Sequence, residues 1–169
     1  MKFIDVINTC KNIIDETDED EQIDAIVKPA INYAYLRIAT TVDKRTKVAN
    51  INYSKLVEVP KDFASLVDII SGEDVLGETD YTIKANMIIF HEKFDNLKLI
   101  YSKTITPLVN DNDVLDIDDR YCLGCALYGC YCYFVYRKKV EVAQLLLSDW
   151  NALLQGEKPD IEVSKYASK

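Results

Sequence analysis

The chain has 169 residues, of which 20 are basic and 28 acidic, giving a net charge of -8. A chain of this length is expected to form one domain whose core needs no disulfide or metal for stability. The acidic balance disfavours nonspecific nucleic-acid binding, because phosphate recognition relies on a basic surface. The first residues lack the basic-then-apolar pattern of a secretory signal, so we expect synthesis in a reducing cytosol.

Apolar residues at helical spacing predict a first helix over residues 2–15. Its stripe consists of Phe3, Val6, Ile7, Cys10, Ile13 and Ile14. A second helix is predicted over residues 18–41, with Thr17 or Asp18 as its N-terminal cap. Pro29 removes one backbone donor inside this helix, so we expect a kink there.

From residue 44 the pattern changes to short stretches rich in Val, Ile and Tyr, separated by turn residues. The predicted strands cover residues 48–53, 56–59, 66–70, 81–83, 87–90 and 97–101. Together they predict a small antiparallel sheet within residues 44–106. Apolar and polar residues alternate only partly in the last strand, so the pattern leaves open which face is buried.

Residues 105–119 contain Pro107 and five aspartates, which predict an irregular, solvated loop. Two helices are then predicted over residues 118–137 and 139–154, with Gly156 as a C-terminal cap and a loose polar tail over 156–169. The predicted fold class is therefore α+β. It is a bundle of about four helices with a small antiparallel sheet between the N-terminal and C-terminal helix pairs, in one domain over 1–155.

Residues 121–136 contain no charged side chain and hold four of the five cysteines. The segment is shorter than the ~20 apolar residues that cross a bilayer, so it predicts a buried helix with reduced thiols. On a helical projection, Cys122, Cys125, Ala126, Gly129 and Cys132 form a side of small residues suited to close helix packing. Tyr121, Tyr128 and Tyr131 lie on a neighbouring flank, which suits either the seam with the sheet or a contact with another subunit.

The cysteine spacing also invites comparison with zinc and redox sites. On a helix, Cys122 and Cys132 lie roughly 15 Å apart along the axis, too far for one ion whose sulfur ligands lie about 2.3 Å away. Neighbouring aspartates are expected to raise the pKa of Cys122, whereas a redox cysteine needs a lowered pKa. Packing is the favoured interpretation, and we predict neither a metal nor a cofactor.

Other signatures of catalysis or ion binding are missing from the sequence. His91 is the only histidine and is predicted to lie at the surface. The acidic run from Asp111 does not match a calcium loop, because Asp116 and Cys122 occupy the positions of its glycine and glutamate. The glycines match neither a phosphate-binding loop nor a dinucleotide motif. Nothing in the sequence therefore favours an enzyme.

Several short motifs follow one another along the chain, and their order is informative. Residues 56–63 read Leu-Val-Glu-Val-Pro-Lys-Asp-Phe, a strand ending in Pro-x-Asp-Phe before the strand at 66–70. A hairpin then closes on a strand ending in Tyr101, and Thr104 and Thr106 follow. The last motif is an acidic loop, an apolar helix and a closing helix that runs from Ala143-Gln144-Leu145 to Trp150. This order resembles the head-to-tail adaptor proteins of tailed bacteriophages, including the tail tubular A type. The family usually has alanine and leucine where this chain has tyrosine and cysteine.

The resemblance implies a structural virion protein that is not an enzyme. About twelve copies would form a closed ring beneath the portal, extend the DNA channel and meet the next tail or nozzle protein. Its acidic surface would let genomic DNA pass without specific binding. The protein would be made in the host cytoplasm and reside at the head–tail junction, with no membrane partner. The polar C-terminal segment of the chain, residues 156–169, would order on a neighbouring copy or on the portal. This adds Lys158, Lys165 and Tyr166 to the candidate contacts.

Two other classes of protein compete with this interpretation. A small cytosolic ligand-binding or regulatory module would be stabilised against heat by a small molecule and would form no ring. A cysteine-dependent zinc or redox protein would lose its function when Cys122 and Cys125 become alanine. If these cysteines only pack in the core, the same replacements would lower the stability of the protein instead.

Overall fold

The computed structural model describes residues 1–14 and 21–156, and for Glu21 it describes the backbone only. Within these residues the chain runs through two helices, seven short strands and two further helices. This order confirms the predicted α+β class, with antiparallel strands set between the N-terminal and C-terminal helix pairs. The predicted cap at Thr17 or Asp18 and the predicted tail beyond Gly156 lie outside the described residues.

The elements begin and end close to their predicted limits. The helices are α1 (Phe3–Ile14), α2 (Glu21–Thr41), α3 (Asp119–Tyr136) and α4 (Val140–Leu154). The strands are β1 (Thr46–Ile51), β2 (Leu56–Glu58), β3 (Phe63–Ser71), β4 (Asp74–Val75), β5 (Tyr81–Lys84), β6 (Met87–Phe90) and β7 (Leu97–Lys103). Only β4 has no predicted counterpart, because two residues after a turn are too few to show a period.

The chain divides into two compact units. The helical unit comprises Met1–Asp43 with Ile105–Lys169, and the strand unit comprises Lys44–Thr104. The strand unit coincides closely with the predicted sheet region of residues 44–106, and each unit has its own apolar core. The assignment of residues 1–155 to a single domain stays a prediction.

The N-terminal helices bury the apolar residues that the sequence singles out. All six residues of the α1 stripe are buried. α2 continues as one helix through Pro29. Val27 and Ile31, on either side of the proline, are fully buried, so packing supports the helix where one backbone hydrogen bond is missing. The expected kink at Pro29 stays a prediction.

α3 packs against each of the other three helices. A Cβ atom at Gly129 would lie 3.0 Å from Ile31 Cγ1 and 3.2 Å from Cys10 Sγ. A Cβ atom at Gly124 would lie 3.0 Å from Leu153 Cδ2. Gly129 therefore lets α1 and α2 approach α3 closely, and Gly124 does the same for α4. The predicted small side is confirmed for Gly129, whereas the role of Gly124 was not predicted.

Local chemistry explains where the C-terminal helices begin and end. The Asp118 side chain caps α3 by accepting a hydrogen bond from the Arg120 backbone N–H at 3.1 Å. After α4, Gly156 has φ +84° and its N–H donates to the Leu153 carbonyl at 3.1 Å. This geometry confirms the predicted cap position of Gly156.

Residues 105–118 are irregular, as predicted, but they are held in place by side chains. The Asn32 amide of α2 donates to the Leu108 carbonyl and accepts from the Leu108 N–H, both at 3.1 Å. The Asp113 carboxylate accepts hydrogen bonds from the backbone N–H groups three and four residues earlier. One of the aspartates predicted to be solvated therefore shapes a turn.

The strands form two sheets where the sequence suggests one. The first has the order β1-β7-β3-β4 and the second has the order β2-β6-β5, with antiparallel pairing throughout. In the central strand β7, Leu97, Leu99 and Tyr101 are buried while Lys98 is exposed, which settles the face that the sequence left open. Periodicity locates strands but does not choose their partners, so the division into two sheets was missed.

We expect Gly129→Leu to destabilise the helical unit. The added side chain would meet Ile31 and Cys10, whose positions are fixed by surrounding helices, so overpacking should cost about 1–3 kcal/mol. Urea unfolding followed by circular dichroism measures the change in the free energy of unfolding.

Tyr136→Leu is the matched control, because it introduces the same side chain into the same helix at a position that is 58% exposed. Its effect should stay within about 0.5 kcal/mol. An unchanged unfolding free energy in Gly129→Leu would mean that α1 and α2 do not require a glycine there.

Candidate functional site

The predicted tyrosine flank of α3 divides into two parts. The ring of Tyr128 lies 5.5 Å from those of Tyr131 and Tyr33 and 5.1 Å from that of Trp150. Tyr128 and Tyr131 are half-buried and Tyr33 is 51% exposed, so these three present an aromatic surface. Tyr121 is buried and does not belong to it.

Tyr33 is the member of this surface that sequence reasoning missed. It lies on α2 outside the buried stripe, and an aromatic residue off the stripe is the signal that could have found it. Tyrosine is enriched in protein–protein contacts because it supplies a large apolar area and a hydroxyl with few rotatable bonds. The remaining predicted contacts, Lys158, Lys165 and Tyr166, lie outside the described residues.

The thiols of α3 are held in their protonated form by burial. Burial raises the pKa of Cys122 to about 11. The positively charged amino group at the start of the chain opposes this rise, and Asp119, Asp118 and Asp43 add to it. Burial also raises the pKa of Cys125 well above its usual value. The predicted direction for Cys122 is confirmed, but its main cause is loss of water rather than the aspartates. A protonated thiol is neither a good nucleophile nor a metal ligand.

Cys10 of α1 and Cys130 of α3 form a contact that the sequence does not predict. Their sulfur atoms lie 3.1 Å apart, and both residues are fully buried. The pKa of Cys130 is raised well above its usual value by burial and by the hydrogen bond to Cys10. Among the described residues, no group of three or more His, Cys, Asp or Glu side chains is placed to hold a metal ion.

A polar contact around Asp62 connects three strands of the first sheet at one end. The Tyr101 hydroxyl donates to Asp62 Oδ1 at 2.9 Å, and Lys47 Nζ lies 2.5 Å from Asp62 Oδ2. The Phe63 ring stacks on Tyr101 with centroids 5.7 Å apart. The Thr104 backbone N–H donates to the Asp62 carbonyl at 2.7 Å. We call this set of five residues the Asp62 cluster.

Electrostatics within the Asp62 cluster are consistent with its geometry. The hydrogen bond from Lys47, followed by that from Tyr101, lowers the pKa of Asp62. The same pair raises the pKa of Lys47. Tyr101 is almost wholly buried, and burial followed by the bond to Asp62 raises its pKa. The carboxylate is therefore ionised and each of its oxygens has a donor, as in a structural contact rather than a catalytic one.

His91, the only histidine, is exposed as predicted. Its Nδ1 donates to the Thr79 carbonyl at 2.6 Å, and its Nε2 lies 2.9 Å from Thr82 Oγ1. The two ring nitrogens therefore connect the turn before β5 and β5 itself to the residue that follows β6. This arrangement anchors a turn.

Charge is distributed unevenly between the two units. Residues 44–104 contain nine basic and nine acidic side chains, which leaves 11 basic and 19 acidic side chains for the rest of the chain. The whole net charge of -8 therefore belongs to the residues of the helical unit.

A scan against protein-family models finds no match, and a search of curated proteins finds none either. In the part of the chain that the structure describes, no helix is both long enough and apolar enough to cross a membrane.

We expect the free energy of unfolding to fall between about pH 9 and about pH 11. The Cys122 thiol has an ordinary pKa of 9.0 and a pKa of about 11 in the fold, so the folded state favours its protonated form. That stabilisation is complete below pH 9 and is lost as the pH rises towards 11. Urea unfolding across this range measures the loss, and Cys122→Ala should lose less than the parent. An equal fall in the free energy of unfolding in the parent and in Cys122→Ala would exclude Cys122 as a contributor to this pH dependence.

We expect Tyr101→Phe to destabilise the strand unit by about 0.5–1.5 kcal/mol, the usual net contribution of one hydrogen bond. The change removes the donor to Asp62 while keeping the ring that stacks on Phe63. Tyr53→Phe is the matched control, because Tyr53 is 37% exposed and should tolerate the change within about 0.5 kcal/mol. Equal effects of the two changes on the urea midpoint would contradict a role for the Asp62 bond.

Proposed function

We propose that this chain is a head-to-tail adaptor of a tailed bacteriophage. In this role it is a structural virion protein, not an enzyme, and it forms a ring between the portal and the next tail or nozzle protein. The ring extends the channel through which genomic DNA passes.

The observation that supports the proposal most is the composition of the Asp62 cluster. Three pieces of sequence carry the resemblance in this region: Pro60-x-Asp62-Phe63, the strand-ending Tyr101 and the following Thr104. They are separate in the sequence but meet through three hydrogen bonds and one ring contact. Motifs that share one contact are expected to occur together, since each requires the others for its packing.

The division of charge is compatible with a channel. An excess of acidic residues repels DNA phosphates, whereas a basic lining would hold the genome by releasing its counterions. The strand unit has no net charge, so the acidic excess belongs to the helical unit. A structural ring that guides DNA requires no catalytic group, and buried, protonated cysteines and a His91 that is hydrogen-bonded within a turn are compatible with that role.

The aromatic surface is the candidate for a protein contact in the assembled particle. Tyr128 and Tyr131 offer rings that are only half covered, and Tyr33 extends this surface on α2. A partner that covers these rings gains apolar burial while their hydroxyls stay at the rim of the contact. The tail, with Lys158, Lys165 and Tyr166, remains the second proposed contact, to a neighbouring copy or to the portal.

The proposal is tested by mixing the purified chain with purified portal rings. We expect the chain alone to be a monomer and the mixture to yield a larger complex by sedimentation velocity, with a second ring below the portal by cryo-electron microscopy. Mass spectrometry of purified virions should find the chain among their structural proteins.

Absence of the chain from virions together with failure to sediment with portal would exclude the adaptor function. A rise in melting temperature with a cellular small molecule, without ring formation, would favour the ligand-binding class instead.

A further inference from the structure

The first sheet of the strand unit ends in two edge strands. Within the described residues, β1 is bonded only to β7 and β4 only to β3. The outer side of such an edge strand presents backbone N–H and C=O groups that can pair with another chain. These two edges are therefore the places where the sheet can be extended.

The two edges carry opposite charges next to equally exposed valines. On β1, Lys47 precedes Val48, which is 63% exposed. On β4, Asp74 precedes Val75, which is also 63% exposed. Half of the Lys47 side chain remains exposed despite its contact with Asp62. Lys44 and Glu73, both exposed, extend the same difference in sign.

Opposite charges distinguish this arrangement from ordinary protection of sheet edges. Charged residues on an edge usually prevent pairing between copies, because identical edges repel each other. A basic edge and an acidic edge on the same sheet attract each other across two copies. The charges therefore disfavour pairing of β1 with β1 and of β4 with β4 between two copies. They favour pairing of β1 in one copy with β4 in the other.

Strand direction and side-chain orientation fit the same pairing. Because β1, β7, β3 and β4 alternate in direction, β1 and β4 run in opposite directions. A second copy placed at the edge in the same orientation would set its β1 antiparallel to β4, continuing the alternation. Val48 pairs with Ile100 and Val75 with Ile70, on the face opposite to buried Leu99 and Ile69.

We propose that β1 of one copy pairs with β4 of a second copy of this chain. In the register that sets Val48 opposite Val75, Asp74 lies diagonal to Lys47, within reach of its side chain. The contact joins two different surfaces, so repeated pairing produces a ring or an open chain rather than a two-fold dimer. It rests on the proposed adaptor function for the ring and goes further by naming the surfaces that join neighbouring subunits.

Disulfide trapping with the double variant Val48→Cys, Val75→Cys tests the pairing. Directly opposite residues have Cβ atoms about 4.5–5.5 Å apart, close to the span of a disulfide. Molecular oxygen with a copper catalyst takes up the two electrons and two protons that each new S–S bond releases from two thiols, and is reduced to hydrogen peroxide. The full-length variant is oxidised both at high concentration and bound to portal.

We expect a ladder of covalent oligomers on a non-reducing gel for the double variant, and only monomer for either single variant. The control pair is Val48→Cys, Ile83→Cys, which places the second thiol on the edge strand β5 of the other sheet, where Ile83 is 39% exposed. Melting of the reduced variants checks that they are folded as the parent.

The outcomes separate this inference from the proposed function. A ring on portal without a ladder would refute the edge pairing and leave the adaptor function standing. A ladder in concentrated protein without a ring on portal would support the pairing and refute the adaptor function. If neither a ring nor a ladder forms, both the edge pairing and the adaptor function are refuted. Three further results would each overturn the pairing between copies. They are an equal ladder from the Ile83 control, dimers from Val48→Cys alone, and cross-links only to another virion protein.

Discussion

Close approach of helices to α3 is the constraint on which the helical unit depends. α3 contacts α1, α2 and α4, and it does so with glycines where the contacts are tightest, at Gly129 and Gly124. Small residues bury little area themselves, but they let neighbouring backbones and larger side chains reach one another. The same burial that packs Cys122 and Cys125 also keeps their thiols protonated. Packing thus explains both the unusual composition of this helix and the raised pKa values of its thiols.

The strand unit is organised in a different way. Its buried cluster is much smaller than that of the helical unit. The Asp62 cluster adds directional contacts that connect β1, β3 and β7 at the end of the sheet where the chain enters and leaves the unit. Hydrogen bonds are directional whereas apolar burial is not, so such a cluster helps to fix register in a sheet with a modest core.

The helices were predicted well because they are long and their apolar residues are either periodic, as in α1, or part of an uncharged run, as in α3. The stripe of α1 and the small side of α3 each follow from positions that repeat every three or four residues. Pairing between distant residues leaves no such trace. Cys10 with Cys130, Asp62 with Tyr101 and the division into two sheets all depend on partners brought together by the fold. Tyr121 was misplaced for the same reason, because a helical projection shows direction but not what lies there.

The candidate site was only partly predictable, and its residues show why. Tyr128 and Tyr131 were found because they share a flank of one helix, whereas Tyr33 joins them from α2 across the helix contact. The edges of the first sheet were invisible in the sequence, since an edge is defined by a missing partner. The chemistry of an isolated strand such as β1 does not reveal its place in the sheet.

The distribution of charge connects these surfaces to assembly. A net charge of -8 repels copies of the chain, and this repulsion belongs to the residues of the helical unit. Physiological salt screens charges beyond about 8 Å, so this repulsion and the attraction between the basic and acidic edges both act only near contact. In the pairing that we propose, the contact between two short edges is weak, so copies stay apart in dilute solution and pair once something holds them close together. A portal that binds each copy raises their effective concentration without adding any contact between them. If the chain is the proposed adaptor, assembly confined to the portal follows from weak edges on an acidic protein, with no separate switch required.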